Sequence, residues 1–318
     1  MQKSEPAILI DRLRDLVEQH YVFPDAAADI SRRLAGAAGG YPADPAALAA
    51  AVTADLQAVN GDLHLRLLHH EQPLPERAEQ DEAAEYAAMA DWAERTCGGV
   101  AGARRLPGDV GLLDIRPLIF PAVLVGDVYA AAMTLLAPTR ALIVDLRGCL
   151  GGEPSAVALL MSYLWDHEPV QLTGTFERAT GQVRQAWTLA HVPGRRYGRT
   201  KPLYVLTGPA TFSGGEALAY DVQQSGRGTV VGGRTRGGAH PREAFRLHPH
   251  LEATIPVARA VHPVTGTNWE GTGVTPDVAV PADEALPTAY RAALARVAAG
   301  DGPSAAEAQA ALDAGAPL

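Results

Sequence analysis

The stretch KPLYVLTGPATFSGGEALAYDVQQSGRGTVVGG, residues 201–233, decides the fold class of this chain. An apolar run at residues 203–206 predicts a buried strand, and a Gly-Pro pair ends it. The segment Ser-Gly-Gly-Glu at residues 213–216 then opens a pattern with helical apolar spacing. A serine hydroxyl is therefore expected where a strand turns into a helix.

This serine, Ser213, has two interpretations. Unpaired backbone N–H groups and the positive end of the helix dipole favour negative charge at such a junction, which is where an acyl-transfer enzyme needs its nucleophile. Alternatively, Ser213 and Glu216 have the spacing of a capping box, in which the serine only satisfies the helix N-terminus. The segment alone leaves both interpretations open.

A second junction follows the same plan. Residues 141–147 read as a strand that ends in the charged pair Asp145 and Arg147, and the loop Gly-Cys-Leu-Gly-Gly at residues 148–152 precedes a helix. One interpretation is a tight loop with an internal ion pair. The other is a ligand-binding loop, because open α/β sheets bind ligands at the carboxyl ends of their strands.

Alternating strand and helix patterns from residue 108 onward predict a layered α/β domain. Strands are expected at residues 110–115, 141–145, 203–206, 229–231, 244–247 and 253–257, a hairpin at 170–176 and 183–189, and helices at 154–165, after 213 and at 286–297. Helical spacing before residue 60, with helices expected at 26–34 and 45–59, predicts an N-terminal helical bundle. The expected domains are a bundle at 1–70, a linker with a crossing helix at 71–107, which takes in the acidic stretch 76–94, and an α/β domain at 108–318.

Composition excludes several classes of function. A length of 318 residues predicts about two domains, and a net charge of −9 argues against nucleic acid or an anionic membrane as a partner. The N-terminus lacks the apolar core of a signal peptide, and charged residues and prolines interrupt the longest apolar region, residues 112–136. We therefore expect a cytoplasmic protein without a membrane span, and the sequence leaves its oligomeric state open.

No cofactor or metal is expected. The sequence contains neither a GxGxxG fingerprint nor a GxxxxGK[ST] loop, and no HExxH zinc motif. The two cysteines, Cys97 and Cys149, form no disulfide framework and have no metal-ligand spacing.

Five motifs, taken in order, carry a family resemblance: GDLH (61–64), LIVDLRGCLGG (142–152), TGPATFSGGEALA (207–219), VVGGRTRGGAH (230–240) and NWEGTGVTPDV (268–278). The set resembles the C-terminal-processing (tail-specific) serine peptidases, in the branch of the tricorn core and the interphotoreceptor retinoid-binding protein. The resemblance extends from residue 8 to 297. It implies a crotonase-like ββα core domain with an N-terminal helical domain.

The resemblance also implies a catalytic triad. Ser213 matches the family's nucleophile, while residues 237–239 read Gly-Gly-Ala where the processing peptidases carry a lysine base. The tricorn-like branch uses a histidine and a late glutamate instead, which His64 and Glu270 match. The implied oxyanion hole consists of the backbone N–H of Gly214 and that of Gly151 or Gly152. Without the resemblance, His64 would be interpreted as an exposed loop histidine and Glu270 as a solvated turn residue.

Two positions depart from the family pattern. Cys149 stands where the family has an asparagine, so a hydrogen bond that supports the oxyanion loop is expected to be missing. Cys149 is more readily explained as a buried structural thiol than as an alternative nucleophile. Only about 45 residues separate His64 from the strand at Val110, which is short for a separate domain, so we expect no PDZ module.

The function expected from these features is a serine hydrolase of peptidase type that forms an acyl-enzyme with a peptide or an acyl small molecule. Two alternatives remain. One is an acyl-transfer or cyclisation enzyme that uses the same triad, and the other is a non-catalytic carrier of a hydrophobic ligand. The intact set of Ser213, His64 and Glu270 argues against a carrier.

Overall fold

The computed structural model describes residues 5–74 and 82–316. Its helices are α1 (Glu5–His20), α2 (Pro24–Ala37), α3 (Pro45–Gln57), α4 (Glu82–Arg95), α5 (Ala122–Leu136), α6 (Pro154–Leu164), α7 (Gly214–Gln224), α8 (Ala285–Ala298) and α9 (Pro303–Asp313). Its strands are β1 (Arg66–His69), β2 (Val100–Leu106), β3 (Val110–Ile115), β4 (Ala141–Asp145), β5 (Gln171–Glu177), β6 (Gln182–Trp187), β7 (Leu203–Thr207), β8 (Thr229–Gly232), β9 (Arg242–His248), β10 (Leu251–Pro256), β11 (Ala258–Val261) and β12 (Val278–Ala279). Among these helices, none combines the length and the apolarity that a membrane crossing requires.

The chain divides into two compact units. The first consists of Met1–Tyr86, Gly174–Arg184 and Gly238–Gly271, and the second consists of Ala87–Thr173, Gln185–Gly237 and Thr272–Leu318. Both therefore contain segments that are distant in sequence. This division differs from the contiguous domains expected at 1–70, 71–107 and 108–318, because strands from the later part of the chain pair with the N-terminal elements.

In the first unit, helices α1, α2 and α3 share one core with a three-stranded sheet. The sheet order is β1–β10–β9 with both pairs antiparallel, and His69 lies opposite Leu251. The shared core contains Ile10, Leu13, Ile30, Leu34, Val52, Leu56, Leu67, Phe245, Ala253 and Ile255. A self-contained helical bundle is therefore not confirmed, because the apolar faces of these helices are covered by strands.

Two of the N-terminal helices begin where proline and capping signals predict. Pro24 and Pro45 each occupy the first turn of their helix, where a missing N–H costs nothing. The Asp44 carboxylate accepts a hydrogen bond of 2.8 Å from the backbone N–H of Ala47 and so caps α3. Both starts lie within two residues of the predicted ones.

The second unit contains a six-stranded sheet in the order β12–β8–β7–β4–β3–β2. Neighbouring strands are parallel except β2 and β3, which are antiparallel. Every residue of β4 and β7 is buried, which explains why both read as continuous apolar runs. The predicted α/β class is confirmed.

Helices cover both faces of this sheet. Leu112 and Ile143 share a core with residues of α8 and α9, including Tyr290. The alternate positions, Leu113 and Val144, face Met133 of α5, Leu160 of α6 and Leu218 of α7. A strand turns successive side chains to opposite faces, so each buried strand must be apolar throughout.

The two predicted junctions lie at the same edge of the sheet. β4 and β7 are neighbouring parallel strands with Asp145 opposite Leu206, so the loops that follow them leave from the same edge. Residues 146–152 form one loop, and residues 208–213 form the other. This arrangement brings the glycine-rich loop beside Ser213.

Some elements differ from the sequence-based expectation. β2 occupies residues that were predicted to be a linker, and it pairs antiparallel with β3 as an edge strand. Residues 83–94 of the predicted crossing helix are helical in α4, whereas residues 76–81 lie outside the described part of the chain. The hairpin of β5 and β6 is present, and residues 174–177 of β5 also pair with β11.

Candidate active site

Ser213 has an unusual backbone conformation. Its φ is 47° and its ψ is −114°, a combination that residues with a side chain rarely adopt. The turn before it holds this conformation: the Thr211 hydroxyl donates to the Leu146 carbonyl at 2.9 Å, and the Phe212 N–H donates to the Cys149 carbonyl at 3.1 Å. Such strain, of about 1–3 kcal/mol, persists only where surrounding contacts enforce it and is concentrated at functional sites.

The capping box predicted from the spacing of Ser213 and Glu216 is also present. The fully buried Glu216 carboxylate accepts hydrogen bonds from the Ser213 N–H at 2.8 Å, the Thr235 hydroxyl at 2.5 Å and the Gly237 N–H at 2.6 Å. Three donors therefore fix this carboxylate and, through it, the main chain at Ser213. The capping role is structural and does not use the serine as a reactant.

The predicted oxyanion-hole residues Gly151, Gly152 and Gly214 come together beside Ser213. A Cβ atom on Gly151 would lie 3.4 Å from the Cβ of Ser213, and one on Gly214 would lie 2.6 Å from the backbone nitrogen of Gly152. Only glycine at position 214 allows this approach of two main chains. Because Gly214 is the first residue of α7, its N–H has no acceptor inside the helix.

Cys149 lies beneath the start of α7 and is fully buried. Its Sγ is 3.3 Å from the Gly151 carbonyl, so the thiol can donate a weak hydrogen bond to the loop. The expectation that Cys149 leaves this loop without support is therefore wrong. Burial raises the pKa of the Cys149 thiol to about 11, which keeps it protonated and makes it a poor nucleophile.

Asp145 and Arg147 form the internal ion pair that one interpretation of the second junction predicted. The guanidinium binds both carboxylate oxygens of Asp145, at 2.9 and 2.6 Å, and a third N–H donates to the Ala282 carbonyl at 2.7 Å. The bond between the Asp145 carboxylate and Arg147 is also the largest cause that raises the pKa of Arg147. The pair anchors the loop that follows β4.

In the first unit, His64 lies in a tight turn after α3. Its N–H donates to the Asp62 carboxylate at 3.0 Å, and its carbonyl accepts the Thr254 hydroxyl at 2.6 Å. His64 is only 9% exposed. It is therefore not the exposed loop histidine that the sequence would suggest without the family resemblance.

Glu270 is held by the main chain around it. Its N–H donates to the Asn268 side chain at 2.9 Å, and its carboxylate accepts hydrogen bonds from the N–H groups of Ala239 and Leu63. The bond to Leu63 brings Glu270 to the residue that precedes His64. Burial raises the pKa of Glu270 to about 7, while the positive charge of His240 and the two N–H donors lower it and Asp62 raises it.

His240, which no sequence pattern singled out, lies beside Asp62 and Glu270. Its Nδ1 lies 2.7 Å from Asp62 Oδ2 and 3.6 Å from Glu270 Oε2, and the ring is only 4% exposed. His240 is the last residue of the motif at 230–240, but its partner Asp62 is 178 residues away in the sequence. No local pattern could have joined the two.

Two parts of the sequence match models of known protein families. Residues 120–280 match a model of peptidase family S41, and residues 2–96 match the N-terminal domain of Peptidase_S41 in eukaryotic IRBP. The first match alone spans half of the chain.

The chain belongs to peptidase family S41.

Solved structures agree with this S41 assignment at the level of fold. A candidate peptidase from Parabacteroides merdae superposes with a TM-score of 0.66 at 18% identity, covering 94% of this chain and 100% of that one. The photosystem II D1 C-terminal processing protease gives 0.54 at 17% identity, with 88% and 94% covered. The tricorn protease gives 0.56 at 14% identity, covering 92% of this chain but 36% of that one. Membership in S41 supports the predicted class, a peptidase-like hydrolase.

Three side chains of this S41 chain lie close enough together for their oxygen and nitrogen atoms to contact one cation. Within the described residues, only Asp62, His240 and Glu270 bring three possible ligand atoms within 4.8 Å of one another. A hydrogen bond between Asp62 and His240 already accounts for their approach. A cavity of about 520 Å³ adjoins this group and is lined by Phe23, Asn60, Arg259, His240 and Glu270, among others.

Proposed function

We propose that this S41 protein is a serine hydrolase of peptidase type in which Ser213 attacks a carbonyl carbon and forms an acyl-enzyme. The observation that carries the proposal is the strained Ser213 backbone at the start of α7, against which the Gly151–Gly152 main chain packs. A nucleophile in this position has N–H groups within reach of a developing oxyanion.

His64 acts as the general base in this proposal, and Glu270 orients it. His64 would take the proton of the Ser213 hydroxyl and later give it to the leaving group. Glu270 would stabilise the imidazolium that forms, and its bond to the N–H of Leu63 supports this pairing. The N–H of Gly214 and that of Gly151 or Gly152 would stabilise the oxyanion, each contributing about 10²–10³-fold in rate.

We also propose that the second unit has a crotonase-like core, which the order β2–β3–α5 supports. In this proposal the protein recognises its substrate without a PDZ module. The substrate is a peptide or an acyl small molecule. Hydrolysis and acyl transfer share the acyl-enzyme and differ in whether water or another nucleophile accepts the acyl group.

A fluorophosphonate probe tests the nucleophile directly. We expect stoichiometric labelling of the wild-type chain at Ser213, identified by peptide mass spectrometry. Labelling should disappear in Ser213→Ala and persist in Ser225→Ala, which alters a serine at the opposite end of the same helix. Loss of a cap costs about 0.5–2 kcal/mol, which a domain of this size tolerates.

Two results would reject the proposal. A folded wild-type chain that is never labelled would favour the non-catalytic carrier, and labelling that survives in Ser213→Ala would assign the reaction to another residue. If labelling succeeds, a separate reaction with an activated ester, which acylates the serine and releases its alcohol, distinguishes the two: transfer of the acyl group to water is hydrolysis, and transfer to an added amine is acyl transfer.

A further inference from the structure

Three buried acidic and imidazole groups meet in the first unit. Asp62 follows α3, His240 precedes β9, and Glu270 lies in the loop after β11. The exposed fractions of their side chains are 1%, 4% and 12%. Carboxylates and imidazoles are rarely buried without a partner, so this cluster needs an explanation.

Asp62 is the fixed member of the cluster. Its Oδ2 accepts the Tyr21 hydroxyl at 2.9 Å, and the Asn60 amide in turn donates to the Tyr21 oxygen at 2.6 Å. Its Oδ1 accepts the His64 N–H at 3.0 Å. The remaining interaction of Asp62 is with Nδ1 of His240, at 2.7 Å, which fixes both the position and the tautomer of that ring.

The charge on Glu270 depends on the groups around it. Besides His240 and Asp62, the described titratable groups of this unit that interact with Glu270 or line the same cavity are Tyr21, Asp25 and Arg259. Burial raises the pKa of Glu270 to about 7, and the Asp62 charge raises it as well. His240 is the largest influence that favours the ionised carboxylate, ahead of the N–H groups of Ala239 and Leu63.

We propose that His240 is a positioning residue whose ring, 3.6 Å from Glu270, favours the ionised form of that carboxylate and keeps it in place for His64, while Asp62 holds the His240 ring. This inference rests on the proposed function, in which only an ionised Glu270 can stabilise the imidazolium of His64. In this proposal His240 acts through Glu270 and is not itself a reacting group.

The rate at which a fluorophosphonate labels Ser213, measured from pH 5 to 9, tests this role. His240→Asn replaces the Nδ1–H donor to Asp62 with an amide N–H and removes the charge. We expect the acid limb of the rate profile to move to higher pH by about one pH unit, since an opposite charge within 4–6 Å lowers a carboxyl pKa by about 1–3. At pH 9 the rate should return to that of wild type, because Glu270 is then ionised without help.

His262→Asn is the matched control. His262 is another buried histidine of the same unit, and its Nδ1 accepts hydrogen bonds from N–H groups of its own turn. Its profile should match that of wild type. An unmoved acid limb in folded His240→Asn overturns the proposal. So does a loss of labelling at every pH, which would make His240 part of the reacting groups.

A measurement on the native cluster covers the case in which His240→Asn fails to fold. In wild type, the NMR signal of the His240 ring should show an additional inflection as Glu270 titrates, and this inflection should vanish in Glu270→Gln. A His240 signal that is the same in both proteins overturns the proposal. A wild-type chain that is not labelled at any pH overturns the proposed function, whereas labelling with an unmoved acid limb overturns only the role of His240.

Discussion

At the scale of single residues, Ser213 combines two demands. Its main chain caps α7 through Glu216, while its φ of 47° is a conformation that suits glycine better than serine. A residue chosen only for stability would relieve this strain. The capping role therefore does not explain the strain at this position.

The strain at Ser213 predicts an order of stability for two substitutions. Ser213→Gly and Ser213→Ala both remove the hydroxyl, but only glycine relieves the backbone strain. We expect the glycine variant to have the higher free energy of unfolding by about 1 kcal/mol or more, measured by urea denaturation. Equal stability, or a more stable alanine variant, would show that the conformation carries no strain.

The two cysteines should differ sharply in reactivity. Cys97 is exposed, whereas Cys149 is buried and has a pKa of about 11. With the thiol reagent DTNB at pH 8, native protein should release one equivalent quickly and the second only after unfolding. Cys97→Ser should abolish the fast phase. A fast phase that persists in this variant would mean that Cys149 is accessible.

At the scale of elements, α7 carries a second buried carboxylate besides Glu216. Asp221 is 3% exposed, and its Oδ1 accepts both the N–H of Thr173 at 3.0 Å and its hydroxyl at 2.7 Å. Burial nevertheless raises its pKa to about 6. The Asp221 carboxyl therefore binds a proton more tightly in the folded protein than in the unfolded chain.

This tighter proton binding gives Asp221 a predictable effect on stability. A carboxyl with a raised pKa binds its proton more tightly when folded, so its contribution to the free energy of unfolding falls as pH rises from about 4 to 6. Asp221→Asn keeps the acceptor for Thr173 and removes the charge. At pH 8 we expect the free energy of unfolding of this variant to exceed that of wild type by on the order of 1–3 kcal/mol. At pH 4 we expect the two free energies to be equal.

Chemical denaturation at both pH values checks this expectation. Asp91→Asn, at an exposed carboxylate of α4, serves as the control and should show no such pH dependence. A destabilised Asp221→Asn at pH 8 would show that the ionised carboxylate is the preferred form.

The elements also show which structural features can be read from sequence. The strands β3 and β4 were predicted residue by residue, because buried parallel strands read as largely apolar runs. β2 was missed because its side chains are mostly exposed at the edge of the sheet, which leaves no apolar run. Likewise, Ser213 lies in a local motif, whereas the contact of His240 with Asp62 is formed only by the fold.

At the scale of the whole molecule, the division into units crosses the sequence several times. Residues 238–271 follow much of the second unit in the chain, yet they supply two of the three strands of the sheet that covers α1, α2 and α3. The domain boundary expected near residue 107 rested on a change in sequence pattern. Such a change shows where one type of secondary structure gives way to another, but it does not show which distant segment a strand pairs with.

A truncation tests this organisation. The fragment 108–318 matches the α/β domain expected from sequence but lacks β1 and the three helices that pack on β9 and β10. Phe245, Leu247 and Ile255, all buried in the full chain, would lose that cover. We expect the fragment to bind the dye ANS and to aggregate, unlike the full chain. A monomeric fragment with a dispersed NMR spectrum would show that these strands fold without the helices.

The helices and strands of the first unit are synthesised at different times. Leu56 of α3 and Phe245 of β9 belong to one core, but a ribosome adds 188 residues between them. At about 5–20 residues per second, the N-terminal helices wait about 10–40 s for the strands that cover them. During that interval the apolar faces of these helices lack their cover, so we expect a chaperone to raise the yield of folded protein in cell-free translation.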